Sequence, residues 1–242
     1  MDRWRRVGLA SQPMAGARIH IGWLGMPNLV RALRALARTL LDSEQTGEIV
    51  VAEEITAQAQ LAYWVRSGIF AGGEGSALLC DRRELAKASV EELRALPDGT
   101  LGREFARFLD TEEISLEGLA QPTPYTSGDA ESFLMRRIRQ SHDLWHVLLG
   151  LDTQGHQEVL VHCFSIAQTG FPFSVFVIFF GSIKHMIFEG RWNTLVRDTR
   201  RAYRHGCAAA PLLAVYWEKR WETPLAEVRR EFSVVPLYTR RG

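Results

Sequence analysis

Two histidines four residues apart, with an aspartate between them, can grip a metal ion when they share one turn of a helix. The chain carries such a group at His142-Asp143-Leu144-Trp145-His146. At roughly 100° per residue, positions 142, 143 and 146 project at about 0°, 100° and 40°, so the three side chains lie within one arc. Imidazoles spaced i, i+4 can hold one ion, and Asp143 can add an oxygen ligand or accept from an imidazole N–H. Solvated helix-surface residues are the plainer reading of the same letters. Against it, Leu144, Trp145, Val147 and Leu148 mark a mostly buried stretch, where unsatisfied polar groups are costly.

Glu158 falls in the first turn of the next helix. A short loop returning the chain antiparallel brings it back toward the histidines. The expected metal set is therefore His142, Asp143, His146 and Glu158. Two imidazoles and two carboxylates make a mixed N/O site suited to zinc, manganese, iron or cobalt, and less to Cu(I). His162, one turn beyond Glu158, is an additional ligand or a proton shuttle.

The elements that must position this group read as helices. The stretch AESFLMRRIRQSHDLWHVLLG, residues 130–150, is the longest, with Ser127 or Asp129 as its cap and Gly150 as its end. A loop at 152–155 leads to a second helix over 156–169, stopped by Gly170 and Pro172. Before them, Asn28 caps LVRALRALARTLL, in which Leu29, Leu33, Leu36 and Leu40 recur at three and four. Glu48–Arg66 continues as helix, and Ala71–Gly75 reads as a flexible turn without the lysine context of a phosphate loop. Ser89 opens a short helix that ends at Pro97, and Thr100–Asp110 forms another. Helices are also predicted over 194–205, 211–220 and 224–232. Only Phe173–Phe180 and the tail Ser233–Tyr238 look extended. The fold expected is mainly α, a single-domain helical bundle with the metal site between two helices of an antiparallel pair. Residues 1–27 form an N-terminal arm and 28–242 the domain.

Composition sets outer bounds. The chain has 242 residues, 46% of them hydrophobic and 24% charged, enough to bury a sizeable core. A net charge of +1 argues against nucleic acid as a partner. The balance is uneven: 16 acidic and 7 basic residues lie between Asp42 and Glu117, but 5 acidic and 11 basic between Arg191 and Gly242. That basic end is either solvated helix face or a surface for anionic lipid or a phosphate-bearing ligand. Cys80, Cys163 and Cys207 read as reduced thiols, with Cys163 a small core residue. No secretory signal opens the chain. The apolar run Phe171–Ile183, 13 residues long, is too short to span a bilayer.

RRIRQSHDLWHVLLG, followed by Ala167-Gln168-Thr169-Gly170, resembles the Coq4 family of ubiquinone-biosynthesis proteins. The family signature is HDxxH, eleven residues, then Glu, and His142 to Glu158 matches it in full. LPDGTLGREFARFLD (96–110) and VYWEKRWETPLAEVR (215–229) resemble the family too, so the likeness covers about residues 90–232. The resemblance implies a mostly helical protein, peripheral on the cytoplasmic membrane of a bacterium. It implies oxidative decarboxylation at C1 of a polyprenylated hydroxybenzoate-type precursor, with His142, Asp143, His146 and Glu158 as both metal ligands and catalytic residues. Zinc is the first expectation for the ion. Partners implied are the prenylated aromatic substrate, an anionic membrane surface, other ubiquinone-biosynthesis proteins and further copies of the chain. The 171–180 stretch and the Leu-rich helix at 29–41 are candidates for the prenyl tail. A non-enzymatic lipid-binding scaffold with a structural metal is the alternative. An HD-type phosphohydrolase is a weaker one, because a glutamate at this spacing is not its mark.

Overall fold

The three- and four-residue apolar spacing resolves into ten α-helices, with no strand, among the residues that the computed structural model describes: 17–20, 25–41, 46–116, 122–189 and 192–238. They are α1 (Gly25–Leu41), α2 (Thr46–Arg66), α3 (Gly73–Asp81), α4 (Val90–Arg94), α5 (Leu101–Thr111), α6 (Asp129–Leu149), α7 (Gly155–Thr169), α8 (Pro172–Glu189), α9 (Trp192–Ala208) and α10 (Leu225–Glu231). The mainly α architecture is as expected. Most of the predicted arm at 1–27 and the side chains of Leu29, Leu33, Leu36 and Leu40 lie outside the described residues. No described helix is long and apolar enough to cross a membrane.

Caps fix the boundaries that matter. The Ser89 hydroxyl accepts from the Glu92 N–H at the start of α4, and the Thr100 hydroxyl accepts from the Arg103 N–H at the start of α5. Gly150 (φ 72°) and Gly170 (φ 62°) close α6 and α7 in the left-handed conformation that a side chain resists. The structure places Gly128 rather than Ser127 or Asp129 at the N-cap of α6, without a side-chain cap bond. Asn28 lies inside α1 rather than at its cap.

α7 is the central helix, packed along α8 and α9; α6 meets α2, α5 and α7. One continuous core joins Phe105, Phe108, Phe133, Trp145, Phe164, Trp217 and Phe232, all fully buried. Two polar knots tie it together. Gln168 donates to the Gly206 carbonyl at 2.6 Å and accepts from the Leu212 N–H at 2.9 Å, so one buried amide joins the end of α7 to α9 and the chain beyond it. Arg137, fully buried on α6, donates to both Glu218 oxygens at 2.5 and 3.0 Å and to the Val215 carbonyl at 2.9 Å.

Four predicted elements differ. Phe173–Phe180 is helix, the front half of α8, with Pro172 at its first position, where a missing N–H costs nothing. The tail after Ser233 forms no strand. Of the predicted flexible turn Ala71–Gly75, residues Gly73–Gly75 instead open a helix, Gly73–Asp81, where a Cβ on Gly75 would sit 2.9 Å from the Ile69 carbonyl oxygen, an approach that glycine permits. Residues 211–220 form two 3-10 turns, Leu212–Ala214 and Trp217–Lys219, closed by the Val215 N–H on the Leu212 carbonyl and the Arg220 N–H on the Trp217 carbonyl, while Gln168 and Glu74 accept from the Leu212 and Tyr216 N–H groups.

Candidate metal centre

α6 carries His142 and His146 on one arc, and the Gly150 turn reverses the chain so that the start of α7 faces them. His142 Nε2 lies 2.8 Å from Glu158 Oε1, and His146 Nε2 lies 3.2 Å from both His142 Nε2 and Glu158 Oε2. His162, one turn along α7, brings its Nε2 to 3.4 Å from Glu158 Oε1. Three imidazoles thus converge on one carboxylate. His142, Glu158 and His162 each offer a donor atom within 4.8 Å of the others; of the expected ligands, neither His146 nor Asp143 belongs to such a group among the described residues.

The surroundings grade from dry to wet. His146 is 1% exposed and stacks on Phe108 at 5.4 Å between centroids, whereas Glu158 is 32% exposed and forms the open edge. His146 Nδ1, on the side of the ring away from the cluster, is buried without a hydrogen-bond partner. On His162, Nδ1 meets Ser174 Oγ of α8 at 3.1 Å, and the ring stands edge-on to Phe173.

Charge couples the group. Burial opposes protonation of His142, but the adjacent Glu158 charge and hydrogen bond, with Asp143 and Glu53, outweigh it and raise its pKa to about 9. Burial also works against the Glu158 charge, yet His142 and the hydrogen bonds from all three imidazoles hold its carboxyl well below the ordinary value. His162 is pushed down by burial and by His142, against the pull of Glu158. Asp143 is pushed up by burial, only partly offset by His142 and His146. A tetrahedral ion with bonds near 2.05 Å separates its donors by roughly 3.3 Å. The 2.8–3.4 Å spacings found here are close to that, so these residues fit a divalent metal.

Sequence reasoning missed a neighbour from α2. Glu53 accepts from Arg139 Nε at 2.8 Å, Glu54 accepts from Arg139 Nη2 at 2.7 Å, and the Glu53 charge acts on His142. Nothing local to Glu53 signals this; only the packing of α2 on α6 brings it there.

The fold and site define an all-helical protein with an HDxxH-and-Glu cluster between consecutive helices. The family model for coenzyme Q (ubiquinone) biosynthesis protein Coq4 matches residues 19–237. The mouse mitochondrial ubiquinone biosynthesis protein COQ4 homolog is 30% identical over 233 residues, 91% of this chain and 84% of that protein. The human mitochondrial homolog is 33% identical over 164 residues, 66% of this chain and 61% of that protein. A crystal structure from Nostoc punctiforme, of a protein provisionally assigned to ubiquinone biosynthesis, superposes with a TM-score of 0.65 at 27% identity, covering 86% of this chain and 96% of that one. The chain belongs to the Coq4 family. The match reaches well before residue 90, beyond the segments that carried the resemblance in sequence. The expected bacterial cytoplasmic location is corrected: these mammalian relatives are named as mitochondrial proteins.

Proposed function

We propose that the chain acts in ubiquinone biosynthesis as a metal-dependent enzyme, replacing the C1 carboxylate of a polyprenylated hydroxybenzoate-type precursor with a hydroxyl. The observation that carries this reading is the convergence of three imidazole nitrogens on Glu158 at 2.8–3.4 Å, in a chain of the Coq4 family. Loss of the carboxylate as CO2 with gain of a hydroxyl at the same carbon is a two-electron oxidation, for which dioxygen is the oxidant class. His142, His146 and Glu158 would hold the ion, with Asp143 as a further oxygen ligand or as the acceptor that orients an imidazole. A bound divalent ion supplies Lewis-acid polarisation of the ring's oxygens, and a redox-active one also supplies electron transfer.

The remaining work falls to the chain itself. Phe108, stacked on His146, keeps water from that side, and the exposed edge at Glu158 would admit the ring carboxylate. A groove of about 840 Å³ between α7, α8 and α9, floored by Ile166, Ile178 and Val196, suits a prenyl tail. Arg197, Arg200 and Arg204 stand at its rim, and Val175 and Phe179 are exposed on α8. That pairing of apolar and basic surface suits an anionic membrane.

The test is mass spectrometry of quinone intermediates in cells lacking this protein. A still-carboxylated prenylated ring should accumulate and disappear when the wild-type chain is restored, but not when folded His142→Ala is. Unchanged ubiquinone in the deficient cells overturns the pathway assignment. Full rescue by His142→Ala leaves the scaffold reading in place of catalysis at this site.

A further inference from the structure

We infer that Arg229 is a positioning residue for the metal centre: with the backbone of the C-terminal tail, its guanidinium clamps the end of α6 and so fixes His146 relative to Glu158. The inference rests on the metal reading above. Neither Arg229 nor the tail belongs to the HDxxH-and-Glu signature.

An α-helix ends on four carbonyls that no helical N–H reaches, and a buried end must find them other partners. On α6 they belong to residues 146–149, the turn that begins with His146. Val147, Leu148 and Leu149 are at most 6% exposed, so bulk water is kept from them. The turn itself serves part of the need: the Leu151 N–H donates to the His146 carbonyl at 2.9 Å, and the Gly150 N–H to the Val147 carbonyl at 3.3 Å. The rest comes from the far end of the chain. Arg229 Nε donates to the Leu148 carbonyl at 2.8 Å, and Arg229 Nη2 to the Val147 carbonyl at 2.9 Å. The Leu149 carbonyl accepts from the Leu237 N–H at 2.8 Å and from the Tyr238 N–H at 3.4 Å. Arg229 is half-buried and forms no ion pair among the described residues, so its charge is spent on the helix end, where the helix dipole favours a cation.

The clamp bears on the site because the chain turns directly after it. Gly150 (φ 72°) makes the reversal, and a Cβ there would run into the Tyr238 carbonyl oxygen, so the tail lies against the turn itself. Glu158 follows eight residues later in the first turn of α7, its N–H on the Gln154 carbonyl at 3.1 Å. Between them, the Thr153 N–H is tied to Glu112 at the end of α5 at 3.3 Å. His146 Nε2 and Glu158 Oε2, 3.2 Å apart, therefore hang on the two ends of one short connection whose start Arg229 holds. Slack of about 1 Å at that point is enough to spoil a set of converging donors.

The experiment is titration of the metal-free full-length protein with Co(II), read as affinity and visible bands well below the melting temperature, with melting curves recorded separately. Arg229→Met should bind Co(II) about 10-fold more weakly than wild type and shift the bands. Arg229→Lys keeps the charge but not the fork that spans two carbonyls, and should recover part of the loss, to about 3-fold. Thr100→Ala, which gives up the cap bond of α5, is the control: it should lower the melting temperature with affinity and bands unchanged. A merely structural Arg229 would behave as that control does. Wild-type affinity and bands in folded Arg229→Met therefore overturn the inference, as does an equal loss of affinity in Thr100→Ala. Should Arg229→Met fail to fold, Arg229→Lys decides, and wild-type affinity and bands in that variant overturn the inference. If wild type itself binds no Co(II), the metal reading falls and this inference with it.

Discussion

Two buried polar groups sit five residues apart on α6 and could hardly be built more differently. Arg137 closes on the protein: its guanidinium meets both oxygens of Glu218 and the Val215 carbonyl, so opposite charges and a backbone acceptor absorb all but its Nε. Among the described residues, the Nε2 atoms of His142 and His146 meet one another and Glu158, with His162 on the far side of Glu158. Their nitrogens converge instead of dispersing to backbone partners, and His146 Nδ1 finds no acceptor. A polar knot that serves the fold spends its donors on the fold. The proposed metal centre would instead keep its lone pairs aimed at a common point, with the surrounding core bearing the cost.

Substitutions can break or sharpen that contrast. The largest effect should come from Arg137→Met, which strands Glu218 and the Val215 carbonyl; a loss of about 3–5 kcal/mol in urea unfolding is expected. A loss under about 1 kcal/mol would erase the distinction between the two groups. Gln168→Ala leaves the Gly206 carbonyl and the Leu212 N–H unpaired in the core, and should cost about 3 kcal/mol by the same measurement. Asp143→Asn and His142→Ala should behave otherwise. In metal-free protein Asp143→Asn should stay within about 1.5 kcal/mol of wild type, because burial already opposes its charge, and His142→Ala should cost less than Arg137→Met because its Glu158 partner is about a third exposed. The smallest effect belongs to Thr100→Ala, which removes the α5 cap bond and should cost about 1 kcal/mol with metal binding unchanged.

What the sequence made legible follows from how local each signal is. The cap at Ser89 and the glycine stops at 150 and 170 act within one turn, and the helices they bound stand where the spacing put them, while Thr100, read as the first helical residue, proves to be the cap of α5. The front of α8 misled because Phe173, Phe176, Phe179 and Phe180 are aromatic on several sides, which hides a 3.6-residue period; Pro172 was the signal that counted. The 211–220 segment misled for the opposite reason. Its apolar residues are buried, but its backbone closes in three-residue turns and reaches two acceptors distant in sequence, Gln168 and Glu74.

The candidate site divides in the same way. His142, His146 and Glu158 could be brought together on paper because helix geometry and a short loop connect them. His162 was visible as a residue one turn beyond Glu158, but its Ser174 partner was not, since Ser174 sits in the stretch read as extended. Glu53 and Arg139 come from the packing of α2 on α6, which no local pattern encodes.

The most direct test of the account is an anomalous difference map from crystals of the protein grown with zinc and measured across the zinc absorption edge. The expected result is a single strong peak between α6 and α7, about 2.0–2.2 Å from Nε2 of His142 and His146 and from a Glu158 oxygen. A map with no peak there, or with its strongest peak away from these residues, would contradict the claim that this cluster is a metal centre.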